Sequence, residues 1–366
     1  MRILIWTDAF WPEIGGLEVF CIHLVRGLQR RGHDCLVITD RQNPAHQGLS
    51  YFHGVPVQGV CFWHASMKRD LSAIRKEHEV CRSVIDDFKP EVIHLNTSTR
   101  SILGFVLEQR GRWHPTLLTA HDHGLFQNRQ GIGQTILENV DAVAVISESV
   151  KMSALNQDIK LDGKLQTVLN ALPMPDLPPA AFPLQPRLLC FGRLVVEKGF
   201  DLAIRAFAAV AGHFPAATLT VAGHGNQYAR LQRLADESGF AERIHFPGWV
   251  DPEGIPALIN QHSVVIMPSR WQEPFGLVAL QTAQMGRPIL ASRVGGIPEI
   301  VRDGETGRLY ENENLPELQE GLRYFLQNPE QGKKMGEQAF KHAQAQFGFE
   351  AFLDRYEKIY TQIKRR

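Results

Sequence analysis

The sequence contains no continuous apolar run of the roughly eighteen residues that a membrane-spanning helix needs. Net charge is missing too: 39 basic residues balance 39 acidic ones, which argues against a dominant nucleic-acid-binding surface. The five cysteines (Cys21, Cys35, Cys61, Cys81 and Cys190) are scattered and form no CxxC pair. They read as reduced thiols, mostly small core residues, of a cytoplasmic protein. The opening MRILIWTD has too short an apolar run for a signal peptide and soon reaches Asp8. There is no GxGxxG fingerprint. No further well-spaced set of His, Cys or acidic residues accompanies His121-Asp122-His123, so that triplet does not read as a metal site.

What is present is the content of an ordinary globular protein. At 366 residues, 44% hydrophobic and 21% charged, the chain is long enough for two domains with a core each. Residues 2–6 read as a buried strand, followed by a turn-rich loop at 7–16. Leu17, Phe20, Cys21, Leu24 and Leu28 then recur at helical spacing up to Gly32, and 35–39 is the next strand. Gly15 and Gly16 stand at the start of that helix, where glycine lets a backbone approach a phosphate or simply makes a tight turn. A longer amphipathic helix runs from Leu71 to Phe88. Strands at 92–95, 116–120 and 142–146 each end in polar residues: Asn96, then His121-Asp122-His123, then Ser147-Glu148-Ser149. Open parallel sheets place ligand sites at such strand ends. A lone histidine there is either structural or ligand-facing, and both readings stand for His121.

Residues 173–186 hold six prolines in fourteen positions, the composition of a stiff hinge strap. The expected division is therefore 1–172, a hinge at 173–186, and a second domain at 187–346. After the hinge the alternation restarts: strand 187–191, a loop at 192–199 carrying Arg193 and Lys198, helix 200–214, strand 218–222, helix 228–237, strand 244–246, then strand 263–267. The stretch PSRWQEPFGLVALQTAQMG (268–286) follows. Glu273 and Pro274 are expected to open a helix, with Leu277, Leu280 and Gln284 at helical spacing and Gly286 as its stop. A helix start at the carboxyl end of a strand suits an anion. An acid beside it suits hydroxyl groups next to a phosphate, as in a nucleotide sugar. The competing reading of Glu273 is a surface carboxylate favoured by the helix dipole. A strand at 289–291 and a Gly295-Gly296 turn into a helix, with Pro298 near its start, complete the pattern. Two βα domains imply an α/β fold of two parallel sheets with helices on both faces and a cleft between them.

One charged face remains. Lys68, Arg69, Arg75, Lys76 and Arg82 lie on or near one helix, with Arg100, Arg110 and Arg112 further on. Such a face can meet anionic lipid. Mixed with Glu77, Glu79 and Asp86, it also reads as a solvated helix surface.

GRLVVEKG (192–199), PSRWQEPFGLVALQ (268–281), VGGIPEIV (294–301) and DGETGRLY (303–310), in that order, resemble glycosyltransferase family 4. Its members are retaining enzymes of GT-B fold, two Rossmann-like doubly wound parallel-sheet domains facing across a cleft. The resemblance covers almost the whole chain, most closely over 187–310 and more loosely over 40–170. It implies that the last helix, 347–366, closes the first domain, and that Arg193 and Lys198 bind the donor pyrophosphate. Two fixed cations would offset charge building on the leaving nucleoside diphosphate, so no metal or other cofactor is implied. Gly15 and Gly16 match the loop whose backbone faces the phosphate. Glu273 matches the first carboxylate of an E-x7-E motif that holds donor-sugar hydroxyls. Phe275, Gly276 and Leu277 match a turn whose backbone N–H groups meet sugar and phosphate, and Val250 a position whose backbone contacts the base. His121 matches a histidine near the sugar ring and reacting carbon. With Glu273, Arg193 and Lys198 it forms the implied catalytic set. Trp11, Glu13 and Asn96 fall on the acceptor side.

There are departures. Gln281 stands where the family has its second glutamate. On a continuous helix the two positions would be about 80° and about 12 Å apart, one for the sugar and one for the ribose. Glutamine makes such contacts only neutrally, which predicts weaker nucleotide binding. Asn96 replaces a common histidine, and Ala171 follows Asn170 where glycine is common. The implied activity is hexose transfer from UDP-glucose or another UDP-hexose to a hydroxyl of a glycan or lipid-linked glycan. GDP-mannose-dependent mannosyl transfer is the alternative. A non-catalytic nucleotide-sugar-binding subunit, or an epimerase or phosphorylase of the same fold, is the rival. No nucleic-acid partner is expected. The expected location is the cytoplasm, with peripheral contact at the inner membrane face as an open alternative.

Overall fold

The computed structural model describes residues 1–12, 15–41, 43–96, 102, 114–127, 132–156, 161, 163–183 and 185–365. They form two compact units, Met1–Ala171 with Phe349–Arg366, and Leu172–Gly348.

The first unit is built on β1 (Arg2–Thr7), β2 (Asp34–Asp40), β3 (Gly48–Phe52), β4 (Val55–Val60), β5 (Val92–Leu95), β6 (Thr116–Ala120), β7 (Ala142–Val145) and β8 (Leu165–Thr167). Their order across the sheet is β3-β4-β2-β1-β5-β6-β7-β8. β1 is central, and Ile3 to Trp6 are buried on both of its faces, as a helix-covered parallel strand requires. The sheet is not wholly parallel. β3 runs antiparallel to β4 through a two-residue turn, His53-Gly54, both with positive φ. That is the backbone a tight hairpin needs. Leu49 and Tyr51 alternate outward along this edge strand, a pattern too short to stand out in the sequence.

Helix α1 (Gly16–Arg30) buries Phe20, Cys21, Leu24 and Leu28 in the core beside the sheet. The helix Phe349–Lys364 joins the same core. Phe352 meets Phe20 edge-on at 5.7 Å, and the Tyr360 hydroxyl lies 2.8 Å from His94 Nδ1. Outside, Arg31 binds Glu350, Asp354 and Glu357 of that helix. Each large apolar side chain so buried contributes about 1.5–3 kcal/mol, so the last helix is held mainly by its rings.

The second unit contains β9 (Arg187–Phe191), β10 (Thr218–Ala222), β11 (Ile244–Gly248), β12 (Val264–Met267), β13 (Ile289–Ser292) and β14 (Gly307–Tyr310), all parallel, in the order β11-β10-β9-β12-β13-β14. Counted from β9 this is 3-2-1-4-5-6, the doubly wound order of dinucleotide-binding sheets. The proline-rich strap does not stand apart from the unit. Buried Arg287 donates to the carbonyls of Ala180 and Ala181, Asn260 pairs with Pro178 O and Ala180 N, and Gln284 donates to Leu172 O. Prolines cannot pair through their own N–H groups, so side chains of the unit supply the bonds.

Candidate active site

The strand order of the second unit reverses between β9 and β12, and ligands of open α/β sheets bind at the carboxyl ends of such a pair. The loops leaving those ends are 192–199 and 268–276. The helix expected to open at Glu273 begins instead at Leu277 and ends at Gln284. Gly276 caps it with φ 110, a left-handed backbone that cannot continue a helix toward Glu273. Glu273 is therefore not a surface carboxylate in a helical first turn. Its side chain is only 6% exposed. Only the part from Leu277 onward follows the helix, so the 80° and 12 Å relation between Glu273 and Gln281 does not hold. Gly286 does stop the helix, with φ 62.

Lys198 Nζ lies 2.5 Å from Glu273 Oε1, and Ser269 Oγ donates to the same oxygen at 2.6 Å. The geometry depends on close backbone approach. At Gly199 (φ 65) a Cβ would fall 1.9 Å from the Pro268 carbonyl oxygen, and at Gly295 (φ 54) 2.0 Å from that of Glu273. Gly296 N donates to Glu273 O and Gly295 N to Gln272 Oε1, which ties the 294–296 turn to the same loop. Arg270 clamps the loops from below with a bidentate pair to Asp201 (2.7 and 2.9 Å) and a bond to Val196 O.

The other expected residues have these places. Arg193 is exposed on the Lys198 loop, and its side chain has no hydrogen bond or ion pair among the described residues. Phe275 is buried against Phe347. Leu277 opens a helix whose first N–H groups have no intrahelical acceptor. Gln281 is part-exposed, and its carboxamide has no partner among the described residues. Val250 follows β11 on a separate loop, next to Trp249, whose Nε1 donates to Asp251. The structure thus joins Lys198 and Glu273 directly, while among the described residues the side chains of Arg193, Val250 and Gln281 make no hydrogen bond or ion pair with them.

In the first unit the order reverses between β1 and β5. Gly15 caps α1, and Gly16 is its first residue. Trp11 is exposed, with its ring 5.5 Å from Phe52, and buried Arg41 donates to the Phe10 and Trp11 carbonyls. Glu13 lies outside the described residues, as do Arg100, Arg110 and Arg112. Asn96 is buried after β5, and its Oδ1 is 2.9 Å from Nε2 of His121 after β6. Burial pushes the His121 imidazole down to about 3, so it is neutral near pH 7. Nε2–H then donates to Asn96, which leaves Nδ1 as an acceptor. Asn96 Nδ2 is buried without a partner among the described residues. Asp122 accepts from Gly124 N, and His123 Nδ1 pairs with Ser153. The triplet's side chains thus turn to three different partners.

Three features escaped the sequence reading. Ser269 had no visible role because the helix was placed over its partner. The Asp201–Arg270 clamp joins residues far apart in sequence. Asp40 ends β2 and accepts from Trp63 N at 3.0 Å. Burial, with the Asp8 charge adding, pushes its carboxyl up to about 7. The acid closing DCLVITD was the only signal.

Residues 14–171 match the model of Glycosyltransferase Family 4, and residues 180–342 that of Glycosyl transferases group 1. The alpha-D-kanosaminyltransferase of Streptomyces kanamyceticus is 30% identical over 179 residues, 49% of this chain and 46% of that protein, so the match spans less than half of the relative. Sucrose-phosphate synthase from Thermosynechococcus elongatus superposes with a TM-score of 0.84 at 22% identity, over 99% of this chain and 98% of the other. HepE from Anabaena, solved in complex with UDP-glucose, gives 0.78 at 18% identity, over 99% of this chain and 100% of the other. Both structural likenesses are likenesses of fold. With the two family models taking the two halves of the chain in turn, the protein belongs to the family 4 glycosyltransferases and has their GT-B fold.

Proposed function

We propose that this protein transfers a hexose from a nucleoside-diphosphate sugar to a hydroxyl of a glycan or lipid-linked glycan, with retention at the anomeric carbon and without a metal ion. One observation carries the reading: the Lys198–Glu273–Ser269 contact at the switch point of a dinucleotide-type sheet, with Arg193 unpartnered on the same loop as Lys198. Arg193 and Lys198 take the diphosphate. Glu273 accepts from sugar hydroxyls, the Phe275–Leu277 turn offers N–H groups, Gln281 meets the ribose and the Val250 backbone meets the base. Gly15 and Gly16 let the backbone approach a phosphate, and neutral His121 offers a hydrogen bond to a sugar hydroxyl.

The bond from the anomeric carbon to the phosphate oxygen breaks, and its electron pair stays on the leaving diphosphate. The two cations offset that charge. The acceptor oxygen bonds to the same face of the carbon, and its proton passes to the departing phosphate oxygen. A glycosidase-type carboxylate pair is not needed for this route. UDP-hexose is the preferred donor, in line with the UDP-glucose held by HepE on the same fold, and GDP-mannose is the alternative. Replacing both Arg193 and Lys198 by Ala should lower transfer by about a thousandfold, and chelation should leave wild-type transfer unchanged. Unchanged transfer by the double variant would overturn the mechanism. A thermal-shift screen of UDP-, GDP- and ADP-sugars identifies the donor.

Gln281 favours a second reading, a non-catalytic nucleotide-sugar-binding subunit. Nucleotide binding without transfer or donor hydrolysis, over a panel of acceptors, would select it.

A further inference from the structure

Helix α2 (Phe62–Met67) and helix α3 (Leu71–Phe88) meet at an exposed corner of the first unit. α2 turns Phe62 and Ala65 inward, which forces Trp63 and Met67, one helical turn apart, outward. Trp63 is 49% exposed, Met67 67% and Leu71 79%. Single exposed apolar residues need no explanation, but three at one helix junction do.

The same corner is cationic. Lys68, Arg69, Arg75 and Lys76 are all exposed, and none of their side chains has a hydrogen bond or ion pair among the described residues. The sequence set Glu77 among them, but the structure turns Glu77 inward, where it is buried and accepts from Gln47 Nε2 at 2.6 Å. Asp70 is occupied as the cap of α3, accepting from Ala73 N. Glu79 is left as the nearby exposed acid without such a duty. A chain with no net charge thus gathers unpaired cations around protruding Trp, Met and Leu side chains.

We propose that this corner docks peripherally on an anionic membrane. The chemistry matches the two layers of a bilayer surface. Lys and Arg heads meet lipid phosphates, the Trp ring sits at headgroup level, and Met and Leu dip into the acyl boundary. No described helix is long and apolar enough to cross a membrane, so the contact is at the surface. Its placement has a use. The α2 end is fixed by the Trp63 N–H bond to Asp40, at the carboxyl end of β2. Asn96 and His121 follow the carboxyl ends of β5 and β6, parallel strands of the same sheet, and so lie at the same edge. A hydroxyl carried on a lipid headgroup would be presented to that edge. The docking itself depends on the corner alone and not on sugar transfer.

The test is co-sedimentation of the full chain with phosphatidylcholine vesicles, with and without about 30 mol % phosphatidylglycerol. Wild type should bind the anionic vesicles only, and release as salt rises from about 0.1 M to about 1 M. The triple variant Lys68→Glu, Arg75→Glu, Lys76→Glu should lower partitioning by about a hundredfold or more. Trp63→Ser with Leu71→Ser should lower it at least about tenfold and leave the salt dependence intact. Circular dichroism and the unfolding midpoint of each variant verify folding, since all these side chains point to solvent. No binding to either vesicle, equal binding to both, or full binding by the folded triple variant would each overturn the proposal. The first outcome would turn attention to an acidic protein partner.

Discussion

Lys198 and Glu273, 75 residues apart, join the loop after β9 to the loop after β12 through one contact of 2.5 Å between Nζ and Oε1. Both side chains are largely withdrawn from water, at 18% and 6% exposure. The free protein therefore keeps these two charges neutralised against each other. Under the proposed function, a diphosphate would compete with Glu273 for Lys198, and sugar hydroxyls would compete with Lys198 for Glu273. Binding one half of a nucleotide sugar would then prepare the residue proposed to take the other half.

Lys198→Ala leaves the Glu273 carboxylate buried and uncompensated. Breaking a buried pair from one side costs roughly 3–5 kcal/mol, and the partial exposure of Lys198 reduces this to about 2 kcal/mol. Urea unfolding should show that loss, and Lys198→Ala combined with Glu273→Gln should recover most of it. If the double variant is no more stable than Lys198→Ala alone, the pair is not coupled as the geometry requires.

Ser269 acts through Glu273. Its hydroxyl shares Oε1 with Lys198 and holds the carboxylate orientation. Ser269→Ala should raise the donor KM about five- to tenfold, less than the full worth of one charge-assisted hydrogen bond because Ser269 acts through Glu273, with a smaller change in kcat. Ser269→Thr, which keeps the hydroxyl, should restore part of the effect. An equal loss in both variants would assign Ser269 to packing alone.

Gln281 presents an uncommitted carboxamide on the first turns of the helix Leu277–Gln284. If this position meets the ribose as proposed, Gln281→Glu would supply a charged acceptor for its hydroxyls and should tighten nucleotide binding about fivefold, or about 1 kcal/mol. Calorimetry on the free nucleotide measures this directly. No tightening would remove the ribose role from this position.

His121 is held neutral, its imidazole pushed from the ordinary 6.5 to about 3 by burial. The unfolded chain takes up this proton below about pH 6.5 while the folded chain resists it. The group's contribution to stability is therefore complete above that pH and declines as pH falls toward 3, by at most about 1.4 kcal/mol per pH unit. Asn96→Asp would place a carboxylate against Nε2–H, favour the protonated imidazole and raise its pKa back toward the ordinary value. NMR should show no His121 titration in the wild type down to about pH 5, and a clear one in the variant. The same titration in both proteins would contradict the buried neutral tautomer.

The βα alternation was legible because parallel strands buried on both faces leave unmixed apolar runs, as at ILIW in β1 and VVIM in β12. The β3–β4 hairpin was not. β3 is a short edge strand with one face in water, so half its pattern is polar. The helix start at 268–286 was misplaced for a local reason. Pro274 favours an N1 position, but Gly276 at φ 110 interrupts the backbone two residues later. Spacing cannot report a left-handed glycine. The same error hid Ser269, whose value depends on Glu273 lying in a loop. Glu77 shows the limit from the other side. Charge alone placed it in water, whereas a partner 30 residues earlier, Gln47, holds it inside.

Asp40 offers a pH test of opposite sign to His121. Its folded carboxyl is raised from 3.8 to about 7, so between those values the folded chain holds a proton that the unfolded chain has released. The contribution to stability is full at low pH and is lost as pH rises through 7, because ionised Asp40 then sits half-buried beside Asp8. Asp40→Asn removes this dependence and keeps an oxygen to accept from Trp63 N. The variant should match the wild type at about pH 3.5 and exceed it near pH 8 in urea midpoint, with the difference growing from pH 3.8 upward and levelling off above about 7. Lower stability of the variant near pH 8 would mean that the ionised carboxylate has a partner strong enough to offset its burial, and would reverse the assignment of Asp40 as a carboxyl raised by burial.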